Sequence, residues 1–186
     1  AAREAGRFGT GYTLSTLSGC LLEDVKAATS GPAWYQLYLL GGKEVALKTI
    51  ARAKEAGFSA IVVTIDTPVS GLRERDMRSG TQQLLSMNPF EMLPYIPQIL
   101  VKPCWMTQWL SDGGLMSFPN VQLDDGPMGY TAIGPALEQS VVTWEDLEWI
   151  REAWGGKIIV KGVHIGDDAK KAAELGADAI VISNHG

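Results

Sequence analysis

The chain has 186 residues, 46% hydrophobic and 20% charged, which suits one domain with a packed core and excludes a disordered polypeptide. Its formal net charge is -5 and no run of basic residues occurs, so nucleic acid is not an expected partner. Cys20 and Cys104 have neither zinc-ligand spacing nor the count of a disulfide framework, and they read as free thiols of a reducing compartment.

No apolar run approaches the roughly 18 residues that a transmembrane helix needs. The N-terminus lacks the ordered charged, apolar and cleavage regions of a secretory leader. It begins with Ala1 rather than Met, and Gly186 follows closely on a strand, so both ends read as cut from a longer chain.

In chain order, residues 1–7 read as the tail of a helix broken at Gly9-Thr10-Gly11, and residues 12–15 as a short strand. Residues 21–28 are helical in pattern, and Gly31-Pro32 turns the chain into a second strand at 34–38. After Gly41-Gly42, residues 43–56 form an amphipathic helix with Ala46, Leu47, Ile50 and Ala53 on one face and Gly57 at its C-cap. Residues 60–65 are a β-branched run, the mark of a strand buried on both faces, ended by Asp66, Thr67, Pro68 and Gly71.

Residues 77–142 differ. Prolines stand at 89, 94, 97, 103, 119, 127 and 135, no strand is evident, and short helices are expected over 89–110. This reads as a long insertion between two strands. Thr143-Trp144-Glu145-Asp146 then resembles a capping box, with Asp for the usual Glu or Gln, and opens a helix carrying Trp144, Leu147, Ile150 and Trp154. A strand at 157–161, a helix at 167–175 and a last strand at 179–183 follow.

Residues 55–64, Glu-Ala-Gly-Phe-Ser-Ala-Ile-Val-Val-Thr, parallel residues 174–183, Glu-Leu-Gly-Ala-Asp-Ala-Ile-Val-Ile-Ser. Residues 9–15 are a weaker echo. Repeated helix–strand units mean parallel strands joined by right-handed crossovers. No Gly-x-Gly-x-x-Gly links a strand to a helix, which disfavours an open dinucleotide-binding sheet. Polar residues at every strand end favour most of a (β/α)8 barrel instead.

Those ends carry Ser15, then Gln36 and Tyr38, then Thr64 and Asp66, then Lys161, then Ser183 and His185. Hydroxyls and an amide suit a flat heterocycle with alternating donors and acceptors. A lysine suits a ring system that gains negative charge. His185 beside Asp66 suits a general base steadied by a carboxylate. Each also has a plainer reading: hydroxyls satisfying loop amides, Lys161 as a rim charge, Tyr38 as a core ring, Asp66 capping a turn, His185 structural. Complementary groups at every strand end favour the joint reading. His164 reads as surface. Of Arg73, Arg75 and Arg78, one suits a substrate carboxylate and two read as solvated.

Trp34-Tyr35-Gln36-Leu37-Tyr38, Thr64-Ile65-Asp66-Thr67-Pro68, Gly71-Leu72-Arg73-Glu74-Arg75-Asp76, Val160-Lys161-Gly162 and Ser183-Asn184-His185-Gly186 together resemble the FMN-dependent 2-hydroxy acid oxidases and dehydrogenases, the group of glycolate oxidase, L-lactate dehydrogenase and mandelate dehydrogenase. The motifs stand in family order over almost the whole chain. The resemblance implies an α/β fold, an incomplete (β/α)8 TIM barrel of about five of eight strands, roughly strands 2 to 6. The whole chain would be a partial FMN-binding domain interrupted by the insertion at about 77–142. By position Ser15, Gln36, Thr64, Lys161 and Ser183 match flavin contacts, Tyr38 and Arg73 match substrate-binding residues, His185 matches the base, and Asp66 its carboxylate. The implied reaction takes hydrogen from C2 of an L-2-hydroxy acid and passes electrons through FMN to an acceptor, with oxygen, a quinone and a cytochrome all open. A homo-oligomer is compatible with the full-length family pattern.

The family's first strand, N-terminal substrate tyrosine, arginine beyond the catalytic histidine, last two strands and phosphate site have no counterpart in these residues. The chain alone is therefore expected to fold poorly and to hold FMN weakly. Leu17 stands where glycolate oxidases resemble one another in having Trp, which implies lactate or larger acids over glycolate. The insertion has no Lys or Arg from Gly80 to Val101; its main reading is a lid or packing element of a cytoplasmic protein, with membrane contact the lesser one. The competing readings are another FMN barrel, such as an isoprenoid diphosphate isomerase, and an inactive truncated chain.

Overall fold

The structure, a computed structural model, describes residues 1–67, 74–80, 83, 88–114 and 116–185. Five parallel strands form the main sheet: β1 (Tyr12–Ser15), β2 (Ala33–Leu37), β3 (Ala60–Thr64), β6 (Lys157–Val163) and β7 (Ala179–Ile182), side by side in that order. Spatial order thus follows chain order without a reversal. A doubly wound sheet has a reversal, with helices on both faces.

Here the apolar faces of α2 (Leu22–Ala27), α3 (Gly42–Glu55), α9 (Trp144–Trp154) and α10 (Gly166–Glu174) share one core with Tyr35, Leu37, Ile61, Val63, Ile158 and Val160, all from one face of the sheet. The opposite face carries the small cluster Ala60, Val62 and Ile159. One-sided winding in chain order is the arrangement of a (β/α)8 barrel wall, and the five strands make an arc of it that is not closed. At the far edge, β7 leaves Ile180, Val181 and Ile182 exposed.

The repeat seen in the sequence is a repeat of hydrogen bonds. Gly57 and Gly176 follow α3 and α10 with φ of 84° and 83°, a left-handed conformation that glycine adopts at little cost. The Phe58 N–H donates to the Ala53 carbonyl at 3.1 Å, and the Ala177 N–H to Ala172 at 2.9 Å, the bond from two residues past each cap that closes a Schellman motif. One residue on, the Ser59 N–H reaches the Ala33 carbonyl and the Asp178 N–H reaches Ile158, both at 2.8 Å. Each helix end thereby sets the register of the next strand against its neighbour. The capping box at Thr143 also forms: Asp146 Oδ2 accepts from the Thr143 N–H at 2.8 Å and from its hydroxyl at 2.9 Å.

The insertion departs from expectation in one respect. It contains short helices, α4 (Glu74–Arg78), α5 (Pro89–Met92), α6 (Ile96–Leu100), α7 (Pro103–Ser111) and α8 (Ile133–Glu138). It also contains an antiparallel hairpin, β4 (Ser117–Leu123) with β5 (Gly126–Gly129), where no strand was expected. The turn is Asp124-Asp125-Gly126, with Gly126 at φ 114°. Asp-Gly is a hairpin signal that Pro119 and Pro127 hid, since proline is rare in central strands but tolerated in a two-stranded ribbon. Phe118, Val121 and Met128 of the hairpin are buried against Tyr38 and Leu40, just past the end of β2.

Candidate active site

The polar residues of the strand ends meet along one edge of the sheet, where β1, β2, β3, β6 and β7 all finish. They form two linked groups. In the first, the Ser15 hydroxyl donates to Gln36 Oε1 at 3.1 Å, and Gln36 Nε2 donates to the Thr64 hydroxyl at 2.9 Å. The direction of this row fixes the Gln36 amide and leaves the Thr64 hydroxyl proton pointing onward as a donor. Gln36 is 7% exposed and Thr64 1%, so neither is a solvated surface group.

The second group centres on Asp66, two residues beyond β3, whose side chain is only 3% exposed. Its Oδ1 lies 2.8 Å from His185 Nδ1, and its Oδ2 accepts from Lys161 Nζ at 3.2 Å and from the Ser183 hydroxyl at 3.2 Å. Burial pushes the Asp66 carboxyl up, but the hydrogen bonds from His185 and Lys161 and their charges outweigh it and hold the carboxyl below the ordinary aspartate range. A carboxylate is an acceptor only, so Nδ1 of His185 carries a proton, and in the neutral ring Nε2 presents a lone pair. The Tyr38 hydroxyl lies 3.3 Å from Nε2 and donates to it in that neutral form. Lys161 Nζ stands 3.5 Å from Nδ1; with both atoms donors this is a close approach and not a bond.

Backbone geometry holds these groups in place. His185 has φ 71°, the left-handed region, and its N–H donates to the Ser183 hydroxyl at 3.1 Å. That costs on the order of 1 kcal/mol for a residue with a Cβ. The turn aims the imidazole back over the sheet end at Asp66. Gly162 has φ 107°, and a Cβ there would lie 2.6 Å from that of Asp66. Glycine is required on both counts, and its absent side chain is what lets Asp66 sit beside Lys161. The Ile65 N–H donates to the Lys161 carbonyl at 2.9 Å and ties the two strand ends together.

The arrangement brings together Ser15, Gln36, Tyr38, Thr64, Asp66, Lys161, Ser183 and His185. Arg73 lies outside the described residues. Arg75 is exposed, Arg78 is paired with Glu74 at 2.8 Å on the surface, and His164 is exposed, as expected. Sequence reading missed Thr16. It is 2% exposed, its hydroxyl donates to the Gln36 carbonyl, and that hydroxyl accepts from the Tyr38 N–H at 3.1 Å. Thr16 thus locks the backbone that carries Gln36 and Tyr38. A second hydroxyl directly after Ser15 was the available signal. For Gly162, the signal was a glycine inside a strand pattern, which marks a bulge or a close approach.

The Asp66 cluster carries a pH signature. Because its folded carboxyl is held below the ordinary value of about 3.9, its contribution to stability is full above that value and is lost as pH falls through the folded one. Asp66→Asn is expected to destabilise by about 2 kcal/mol near pH 7, since Lys161 and His185 are part-exposed and soften the loss. Urea unfolding from pH 7 to 2 should show the gap between native and variant closing below pH about 4. A gap of constant size down to pH 2 would contradict this account.

A sequence model of the FMN-dependent dehydrogenase family matches residues 1–186. The L-lactate dehydrogenase of Caulobacter sp. (strain K31) is 40% identical over 198 aligned positions, which take in all of this chain and 49% of that protein. The crystal structure of the monotopic membrane protein (S)-mandelate dehydrogenase superposes with a TM-score of 0.82 at 28% identity, covering 100% of this chain and 48% of that one. A mandelate oxidase variant with a C4a-OH-FMN adduct superposes at 0.64 with 28% identity, over 99% of this chain and 41% of that one. The chain spans about half the length of the relatives it matches. The family model matches over this whole length, and the chain belongs to the FMN-dependent dehydrogenases.

Proposed function

We propose that this chain forms about five strands of an FMN-binding (β/α)8 barrel, interrupted by an insertion at about 77–142, whose mouth oxidises an L-2-hydroxy acid to the 2-oxo acid. The donor set fits the cofactor. The Ser15, Gln36 and Thr64 row offers hydroxyl and amide groups to the edge of a flat heteroaromatic ring, and Ser183 lies across the mouth. Lys161, 26% exposed, brings positive charge to a ring that becomes anionic on reduction. FMN, when bound, supplies the two-electron acceptor. The isoprenoid isomerase alternative has no need of a histidine base steadied by a carboxylate.

One observation carries this reading: His185 has Nδ1 fixed by Asp66 and Nε2 directed at the Tyr38 hydroxyl. His185 Nε2 takes one proton from the substrate. Asp66 stabilises the imidazolium that results, and Tyr38 holds the substrate hydroxyl in place. FMN, when bound, would take the electron pair of the C2–H bond together with the second hydrogen, the first leaving as the proton on His185, so that the C–O bond becomes a carbonyl. Arg73 is proposed to receive the substrate carboxylate in bidentate fashion. Leu17, half-buried against the cluster around Tyr38, leaves more room than an indole and favours lactate-sized or larger acids.

The test is the visible spectrum of the flavin-loaded full-length protein, recorded without oxygen before and after L-lactate or (S)-mandelate. The flavin band is expected to bleach with the native protein. With His185→Gln it should bleach at least about a hundredfold more slowly, the scale of a lost general base. A bound flavin that stays oxidised with every 2-hydroxy acid would overturn the assignment.

The insertion supports a second reading, peripheral membrane contact. Among the described residues no helix is long and apolar enough to cross a membrane. Phe90, Leu93, Leu100, Val101, Trp105 and Leu110 are nonetheless 55–86% exposed. Short helices of this kind lie in an interface plane. Neutral phosphatidylcholine vesicles should co-sediment with the full-length protein, and replacement of Phe90, Leu100 and Trp105 by Ser should abolish this. Unchanged sedimentation of that variant would rule the segment out.

A further inference from the structure

The side chain of Asn120, in β4 of the insertion, is wholly buried and bonded at both its oxygen and its nitrogen. Its Oδ1 accepts from the Leu22 N–H at 2.9 Å, and its Nδ2 donates to the Cys20 carbonyl at 2.9 Å. Its own backbone carbonyl accepts from the Thr49 hydroxyl of α3 at 3.0 Å. One residue of the insertion therefore grips the loop between β1 and α2, about a hundred positions earlier in the chain. That loop begins at Ser15, Thr16 and Leu17.

On either side of Asn120 the hairpin packs into the mouth. Phe118, Val121 and Met128 are buried against Tyr38 and Leu40, and Leu17 packs on the same cluster. Two glycines permit the approach. A Cβ on Gly19 would stand 3.2 Å from Met116 just ahead of β4, and one on Gly41 would stand 2.9 Å from Leu123 at its end. The hairpin is thus joined to the mouth through the Asn120 side chain, the Asn120 carbonyl and this apolar packing, and it forms a wall beside Tyr38.

We infer that Asn120 is a positioning residue for substrate: it holds the loop carrying Leu17 and seats the hairpin against Tyr38, thereby setting the width of the acid's pocket. This rests on the assignment of the mouth as a 2-hydroxy acid site. The mechanism is geometric. A buried amide with both ends paired has one orientation, whereas alanine leaves the Leu22 N–H and the Cys20 carbonyl without partners. The freed loop then shifts Leu17 and the Tyr38 ring relative to the substrate. The Ser15, Gln36 and Thr64 row does not run through Asn120.

Asn120→Ala and Asn120→Asp in the flavin-loaded full-length protein test this. Aspartate keeps the acceptor for Leu22 and loses the donor to Cys20. Asn120→Ala is expected to raise KM for lactate about tenfold or more and to change the mandelate-to-lactate ratio of kcat/KM at least about fivefold, with Asn120→Asp between it and native. The Kd for FMN should change less than KM for lactate does, because Asn120 reaches the flavin row only through the loop, where the Leu17 N–H donates to the Ser15 hydroxyl at 3.1 Å. In the flavin-free protein, amide hydrogen exchange over residues 16–22 should rise about tenfold, with residues 179–185 unchanged.

A lower Tm with KM and the substrate ratio both native would make Asn120 structural only and overturn the inference. A native protein whose flavin no 2-hydroxy acid reduces would overturn the site assignment, and the positioning role with it. The two failures are told apart by the native protein, which is active in the first and inactive in the second.

Discussion

One nearly buried carboxylate sets the geometry of the mouth. Asp66 collects three donors, Lys161 from β6 and Ser183 and His185 from the chain leaving β7, onto two oxygen atoms. A carboxylate almost out of water is tolerable only when its lone pairs are used, and these donors use them. The consequence for chemistry is directional. With Nδ1 committed to Asp66, the basic lone pair of His185 has one place to point, toward Tyr38 and the interior of the mouth.

The fold makes the constraint affordable by delivering five strand ends to one edge. The α3–β3 and α10–β7 units each close with a left-handed glycine and a bond back to the preceding strand. Register is therefore fixed unit by unit, and a side chain placed at the end of one strand finds its partner on the next. The insertion joins this edge through its hairpin. Its remaining helices keep large apolar side chains exposed, a surface of a different character from the hairpin's.

Much of this was legible in the sequence, and for identifiable reasons. The buried β-branched run at Ala60–Thr64 and its echo at Ala179–Ile182 gave parallel strands, because such runs have few other uses. Polar residues just past each run gave the cluster at the sheet edge, because parallel strands finish on the same side and bring such residues together. The hairpin was not legible, since proline at 119 and 127 masks its alternation. Thr16 and Asn120 were hidden for another reason. Their partners lie 20 and about 100 positions away, and a lone hydroxyl or amide carries no local sign of what it will bond. Gly162 announced a close approach, but the residue approached, Asp66, became visible only in three dimensions. Arg73 remains a reading from motif position.

The central claim is that Asp66 fixes the tautomer of His185. Nitrogen-15 correlation spectra of the histidine-labelled full-length protein, taken where the ring is neutral, read this directly. The account predicts a pyrrole-type Nδ1 carrying the proton and a pyridine-type Nε2, with the preference lost in Asp66→Asn. A neutral ring with its proton on Nε2, or a spectrum unchanged by that substitution, would contradict it.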